Sequence, residues 1–111
     1  MQSKILETLL VDVADNNVVT VTMNRPEKKN AANSVMWDEL RTTWDEIALD
    51  PSVRCVIMTG AGDAFCSGAD LAGGGTGRHQ LQSVNLIHRT VQALYSIMVP
   101  VIAKVNGVAA G

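Results

Sequence analysis

The chain has 111 residues, the size of one modest domain, and is 47% apolar and 18% charged, a balance that supports a folded core and excludes a disordered tract. Its net charge of −2, with both signs interspersed, gives no electrostatic footprint for nucleic acid or an anionic membrane surface. Only Trp37, Trp44, Phe65 and Tyr95 are aromatic, so the core must be aliphatic.

Two cysteines, Cys55 and Cys66, are too few for a disulfide framework and sit among apolar or small residues, as reduced thiols do in the cytoplasm. Neither belongs to a Cys-x-x-Cys pair, and His79 and His88 lack helical ligand spacing, so no metal site is expected. Glu7 and Asp12 interrupt the apolar run that a signal peptide needs. No stretch approaches the roughly 20 apolar residues of a membrane span.

Residues 8–14 are apolar and β-branched, Asp15-Asn16-Asn17 supplies turn chemistry, and residues 18–23 alternate with a period of two. This predicts a β-hairpin with one covered face, ended by Asn24-Arg25-Pro26. A polar loop follows over residues 27–33, and Asn33 or Ser34 is placed to cap a helix carrying Asp38 and Glu39 near its positive end. Trp37, Leu40, Trp44 and Ile47 make one apolar stripe on that helix, which Asp50-Pro51 stops. Residues 53–59 read as a strand covered on both faces.

Residues 73–77, Gly-Gly-Gly-Thr-Gly, read as a flexible surface loop. Leu81, Val84, Ile87 or His88, Val91, Leu94 and Met98 then mark a second amphipathic helix, closed by Pro100 before a strand over residues 101–105. The order β-β-α-β-turn-α-β implies an α/β fold with helices packed on a sheet through parallel crossovers.

Two small-residue turns follow apolar strands: residues 59–71 (Thr-Gly-Ala-Gly-Asp-Ala-Phe-Cys-Ser-Gly-Ala-Asp-Leu) and residues 106–111 (Asn-Gly-Val-Ala-Ala-Gly). The first is not a dinucleotide fingerprint, because Phe65 stands where the third glycine is needed. Neither turn continues into the Gly-Lys-Ser/Thr of a phosphate-binding loop. Ser67 lacks the first glycine of a nucleophile elbow, and Cys66 has no identifiable activating base. Asp63 and Asp70 read as turn former and helix cap rather than as general bases. What remains is a backbone site. Small residues from Ser67 to Asp70 let a ligand approach the main chain, and an Ala69 N–H paired with one from Gly111 would form an oxyanion hole if the two strands are neighbours.

Three ordered blocks carry a family resemblance: residues 23–32 (Met-Asn-Arg-Pro-Glu-Lys-Lys-Asn-Ala-Ala), residues 60–71, and residues 100–111. Together they resemble the enoyl-CoA hydratase/isomerase, or crotonase, superfamily along essentially the whole chain. The resemblance implies a crotonase-like spiral of β-β-α units that binds acyl-CoA thioesters, with residues 1–111 as the N-terminal part of a single domain. It implies Ala69 and Gly111 as the oxyanion-hole donors. It places Lys28, Ala31 and Ala32 at the CoA entrance, and Ser67, Gly68, Asp70 and Leu71 along the pantetheine and adenine wall. Lys28 and Lys29 read equally as an ordinary solvated pair on a loop. Coenzyme A would enter as part of the substrate, with no separate cofactor, and the whole protein would be a cytoplasmic homotrimer or hexamer.

In the hydratases the acids and bases lie on glutamates beyond the position of Gly111. The 111-residue chain alone is therefore expected to be inactive. A second reading is a non-catalytic acyl-CoA-binding or assembly subunit of the same fold.

Overall fold

A computed structural model describes residues 1–70 and 78–110, with side chains described outside 78–80. The predicted hairpin is formed by β2 (Leu9–Val13) and β3 (Val18–Met23), antiparallel, with Leu9 opposite Met23 and Val13 opposite Val19. Asn17 takes the left-handed conformation (φ 65°) that asparagine tolerates, and Asn16 Oδ1 accepts the Val18 N–H at 3.3 Å. A two-residue strand β1 (Lys4–Ile5), absent from the sequence pattern, extends the sheet beside β2.

Helix α1 (Ser34–Leu49) begins at Asn33, whose side chain accepts the Met36 N–H at 2.9 Å, and gives way to Asp50-Pro51. Its buried residues are Met36, Leu40, Thr43, Trp44 and Ile47. Three of the four predicted stripe residues are thus buried; Trp37 is half-buried and packs against the core, and Met36 and Thr43 widen the stripe. Glu39 does more than favour the helix start. Its carboxylate accepts the Thr8 N–H at 2.8 Å and the Glu7 N–H at 3.1 Å, pinning the chain before β2 to the helix.

The chain then returns as β4 (Cys55–Gly60), parallel to β3, and after α2 (Arg78–Tyr95) as β6 (Val101–Ala103), parallel to β4. Sheet order is β1-β2-β3-β4-β6, as two parallel crossovers require. Leu9, Val11, Val19, Val21, Met23 and Val56 face α1 and build the core with its stripe. The expectation that β4 is covered on both faces is corrected: only Val56 is fully buried, and its other residues are half-buried. Helix α1 packs on the sheet and α2 packs along α1.

The predicted apolar stripe of α2 is corrected in part: of its residues, Leu94 packs against the core. Leu81, Val84 and Val91 are exposed, as is Met98 beyond the helix end, while Thr90 and Ala93 are buried and Ile97 also packs against the core. The reason is the seam with α1. Thr90 Oγ1 lies 3.0 Å from the Trp37 carbonyl oxygen, a close approach that small residues permit and the larger apolar side chains would not. Two short strands, β5 (Ala64–Cys66) and β7 (Val108–Ala109), form a separate parallel pair after the two glycine turns.

Candidate active site

The site starts at the end of β3. Arg25-Pro26 opens a single 3-10 turn, Pro26–Lys28, and the chain leaves it through Lys29 (φ 51°) and Asn30 (φ 58°), two consecutive left-handed residues. Asparagine accepts that conformation more readily than most residues, and Asn30 is fully buried. Its Oδ1 accepts the Arg25 N–H at 2.8 Å, closing the loop on itself. Its Nδ2 donates outward to the carbonyl oxygens of Ala61 (2.9 Å) and Ala64 (2.8 Å) in the first glycine turn.

The same turn is held from its other side by Asn106. Asn106 Nδ2 lies 2.9 Å from the Gly60 oxygen and 3.1 Å from the Gly62 oxygen, and its Oδ1 accepts the Gly60 N–H at 3.2 Å. Two asparagine amides from separate loops thus satisfy the main-chain groups of a turn that would otherwise need water. The close packing explains two glycines. A Cβ on Gly60 would stand 2.3 Å from the Ala64 oxygen, and one on Gly107 would stand 2.0 Å from the Asp63 oxygen.

Beyond β5 the chain pairs with the 28–32 loop. Ser67 N–H donates to the Lys29 oxygen at 3.1 Å, Ala32 N–H to the Gly68 oxygen at 2.9 Å, and Asp70 N–H to the Ala32 oxygen at 2.8 Å. Ala32 and Ala69 therefore form an isolated parallel bridge. Gly68 C=O and Ala69 N–H belong to one trans peptide and point in opposite directions. Since the oxygen is turned to Ala32, the Ala69 N–H is turned away from it. Among the described residues it donates to no protein acceptor, and Ala69 is exposed. Gly68 permits this peptide orientation with φ 113°, a conformation L side chains rarely adopt.

The two strand ends are neighbours. Cys66 pairs with Ala109, and Ala110 N–H donates to the Cys66 oxygen at 2.9 Å, so the second small-residue turn runs alongside the first. Gly111 and Leu71, and the glycine run at 73–77, lie outside the described residues. Of the other residues singled out, Lys28 is exposed, Ala31 is half-buried, and Ser67 Oγ lies 3.4 Å from the Lys28 oxygen. Ala32 is buried, so only its backbone borders the site. The Asp63 side chain is 85% exposed and 3.8 Å from Lys29 Nζ, as a turn former is placed. Asp70 Oδ2 lies 3.2 Å from Arg25 Nη1.

Sequence reasoning did not single out Arg25, Asn30 or Asn106. The only local signal was a polar residue at the edge of each turn. No group of three metal-ligating side chains occurs among the described residues, and no helix there is long and apolar enough to cross a membrane.

Residues 13–111 match the family model described as enoyl-CoA hydratase/isomerase. The chain is 39% identical over 108 residues to YngF of Bacillus subtilis, covering 95% of this chain and 42% of that protein. It is 37% identical over 103 residues to the 1,2-epoxyphenylacetyl-CoA isomerase of Escherichia coli, covering 87% and 39%. Among solved structures, an enoyl-CoA hydratase from Mycobacterium avium subsp. paratuberculosis superposes with a TM-score of 0.85 at 30% identity, covering 97% of this chain and 42% of the other. The chain spans about two fifths of the length of the curated relatives it matches.

Proposed function

Because this chain belongs to the enoyl-CoA hydratase/isomerase family, we propose that it binds acyl-CoA thioesters and offers the Ala69 N–H to the thioester carbonyl oxygen. Its α/β fold is crotonase-like over the length it spans. The observation that carries the reading is the orientation of one peptide. Hydrogen bonding of the Gly68 oxygen to Ala32 leaves the Ala69 N–H turned outward on an exposed backbone.

The chemistry follows from the thioester. Moving a proton next to the carbonyl, or adding water across a conjugated double bond, places negative charge on the carbonyl oxygen. A fixed donor stabilises that enolate more than the ground state and so accelerates the step. In this reading Gly111 supplies the second donor, supported by the course of β7 beside β5. Lys28, Ala31 and Ala32 border the CoA entrance, and Ser67, Gly68, Asp70 and Leu71 form the wall. Coenzyme A enters as part of the substrate, and no metal is invoked. A homotrimer or hexamer of the whole protein belongs to the same proposal. The exposed Leu81, Val84, Tyr95 and Met98 are surface that further protein would bury.

Calorimetric titration of the chain with acetoacetyl-CoA and with coenzyme A tests the reading. The thioester is expected to bind more tightly than coenzyme A, and Ala69→Pro, which removes the N–H, is expected to abolish the difference. Equal binding of the two ligands by the parent chain would contradict it.

A further inference from the structure

Resting on that reading, we infer that Arg25 and Asp70 are positioning residues whose ion pair holds the Ala69 peptide at the angle the carbonyl oxygen requires. The two residues are 45 positions apart, and their side chains are 14% and 21% exposed. Arg25 Nη1 hydrogen-bonds the Ala31 carbonyl oxygen and lies 3.2 Å from Asp70 Oδ2. One guanidinium thus ties together the residues that flank the Ala32–Ala69 bridge, Ala31 on one strand and Asp70 on the other.

The base of the tie is rigid. The Arg25 N–H donates to Asn30 Oδ1 at 2.8 Å, and its carbonyl oxygen accepts the Asn30 N–H at 2.8 Å. Its side chain therefore leaves a fixed backbone. The bridge itself has only two hydrogen bonds, Ala32 N–H to Gly68 and Asp70 N–H to Ala32. Gly68 sits at φ 113°, with the freedom glycine has to rotate the peptide away. A charge-assisted, largely sheltered contact one residue beyond Ala69 restricts that rotation. Arginine suits the task because its planar fork serves a carbonyl and a carboxylate together, which a lysine ammonium does less well.

The test separates this inference from the reading it rests on. Amide hydrogen exchange is followed by NMR in the chain and in Arg25→Met. Exchange is expected to quicken at least tenfold at Ala32 and Asp70 while Val19 and Val21 in the core strand keep their parent rates. Unchanged rates at Ala32 and Asp70, or an equal rise at all four amides, would overturn the inference. Acetoacetyl-CoA and coenzyme A are then titrated into both proteins. Arg25→Met is expected to lose about tenfold of the preference for the thioester with coenzyme A affinity unchanged, and Arg25→Lys to recover part of it. Asp70→Asn, which keeps the backbone bond but also alters the proposed wall, is compared only through the ratio of the two affinities, where the same loss is expected. A parent chain with no preference contradicts the thioester reading itself. A parent with a preference that all three variants retain contradicts only the positioning role.

Discussion

Ala32 and Ala69 face one another across a parallel bridge of two hydrogen bonds, and that bridge fixes which way the Ala69 N–H points. The consequence is an economical division of labour. Ala32, buried at 2% exposure, spends both of its backbone groups on the neighbouring strand. The Ala69 N–H has no protein acceptor among the described residues.

Gly68 and the two packed glycines are expected to fail differently. A Cβ on Gly68 would meet the Ala110 oxygen at an ordinary 3.6 Å, so Gly68→Ala is opposed by its φ of 113° and not by lack of space. The expected cost is about 1–3 kcal/mol, with loss of thioester preference as the peptide rotates. Gly60→Ala and Gly107→Ala would drive a methyl to 2.3 Å and 2.0 Å from backbone oxygens, and should cost about 3 kcal/mol or more. Urea titrations of the three variants check the order.

Asn30→Ala should be the most damaging single polar truncation in the site. It leaves the Ala61 and Ala64 oxygens and the Arg25 N–H without the partner that a fully buried side chain gave them. A loss of about 3 kcal/mol is expected, lowering Tm by about 13 °C for a chain this size. Asn106→Ala, at an exposed position where water can substitute, should cost about 1 kcal/mol. Thermal melts followed by circular dichroism distinguish them, and equal losses would contradict the account.

Much of this architecture could be read from local patterns. The period of two at residues 18–23, with Asp15-Asn16-Asn17 before it, located the hairpin, and Asn33 and Pro51 bracketed α1. The inward face of α2 was legible only at Leu94, because the buried positions are Thr90 and Ala93 while Leu81, Val84 and Val91 stay exposed. Strands β5 and β7, three and two residues long, carry no alternation to detect. The site was half legible. Small residues around Ala69 advertised backbone exposure, but Arg25, Asn30 and Asn106 act on partners 31 to 46 positions away. Nothing in their own neighbourhoods announces those partners.

The acid limb of the stability profile should report Asp50. The Met1 ammonium lies 2.5 Å from Asp50 Oδ2, and the Ser52 hydroxyl and N–H donate to Oδ1 at 2.6 Å and 2.9 Å. The hydrogen bond from the ammonium, followed by those from Ser52, holds the carboxyl well below the ordinary carboxylate range. A depressed folded pKa contributes stability above the unfolded value of about 3.9, and this is lost as pH falls through the folded one. Asp50→Asn should therefore melt below the parent at pH 6, with the gap narrowing progressively as pH falls below about 4. A gap that stays constant over that fall would contradict the assignment.

The chain alone should not hydrate crotonyl-CoA at a rate above background. Its two carboxylates at the first turn and beside Ala69 are a solvent-exposed Asp63 and an Asp70 paired with Arg25. An oxyanion donor without a placed general acid and base stabilises charge but does not move the proton. A spectrophotometric assay that follows loss of the conjugated thioester's absorbance decides it; substantial turnover would show that the chain holds catalytic groups not identified among these residues.

The most direct test is the NMR resonance of the Ala69 amide proton during titration. With acetoacetyl-CoA it should move downfield as it takes the carbonyl oxygen for its acceptor, and with coenzyme A alone it should stay in place. An Ala69 amide indifferent to the thioester, while neighbouring resonances respond to binding, would contradict the central claim.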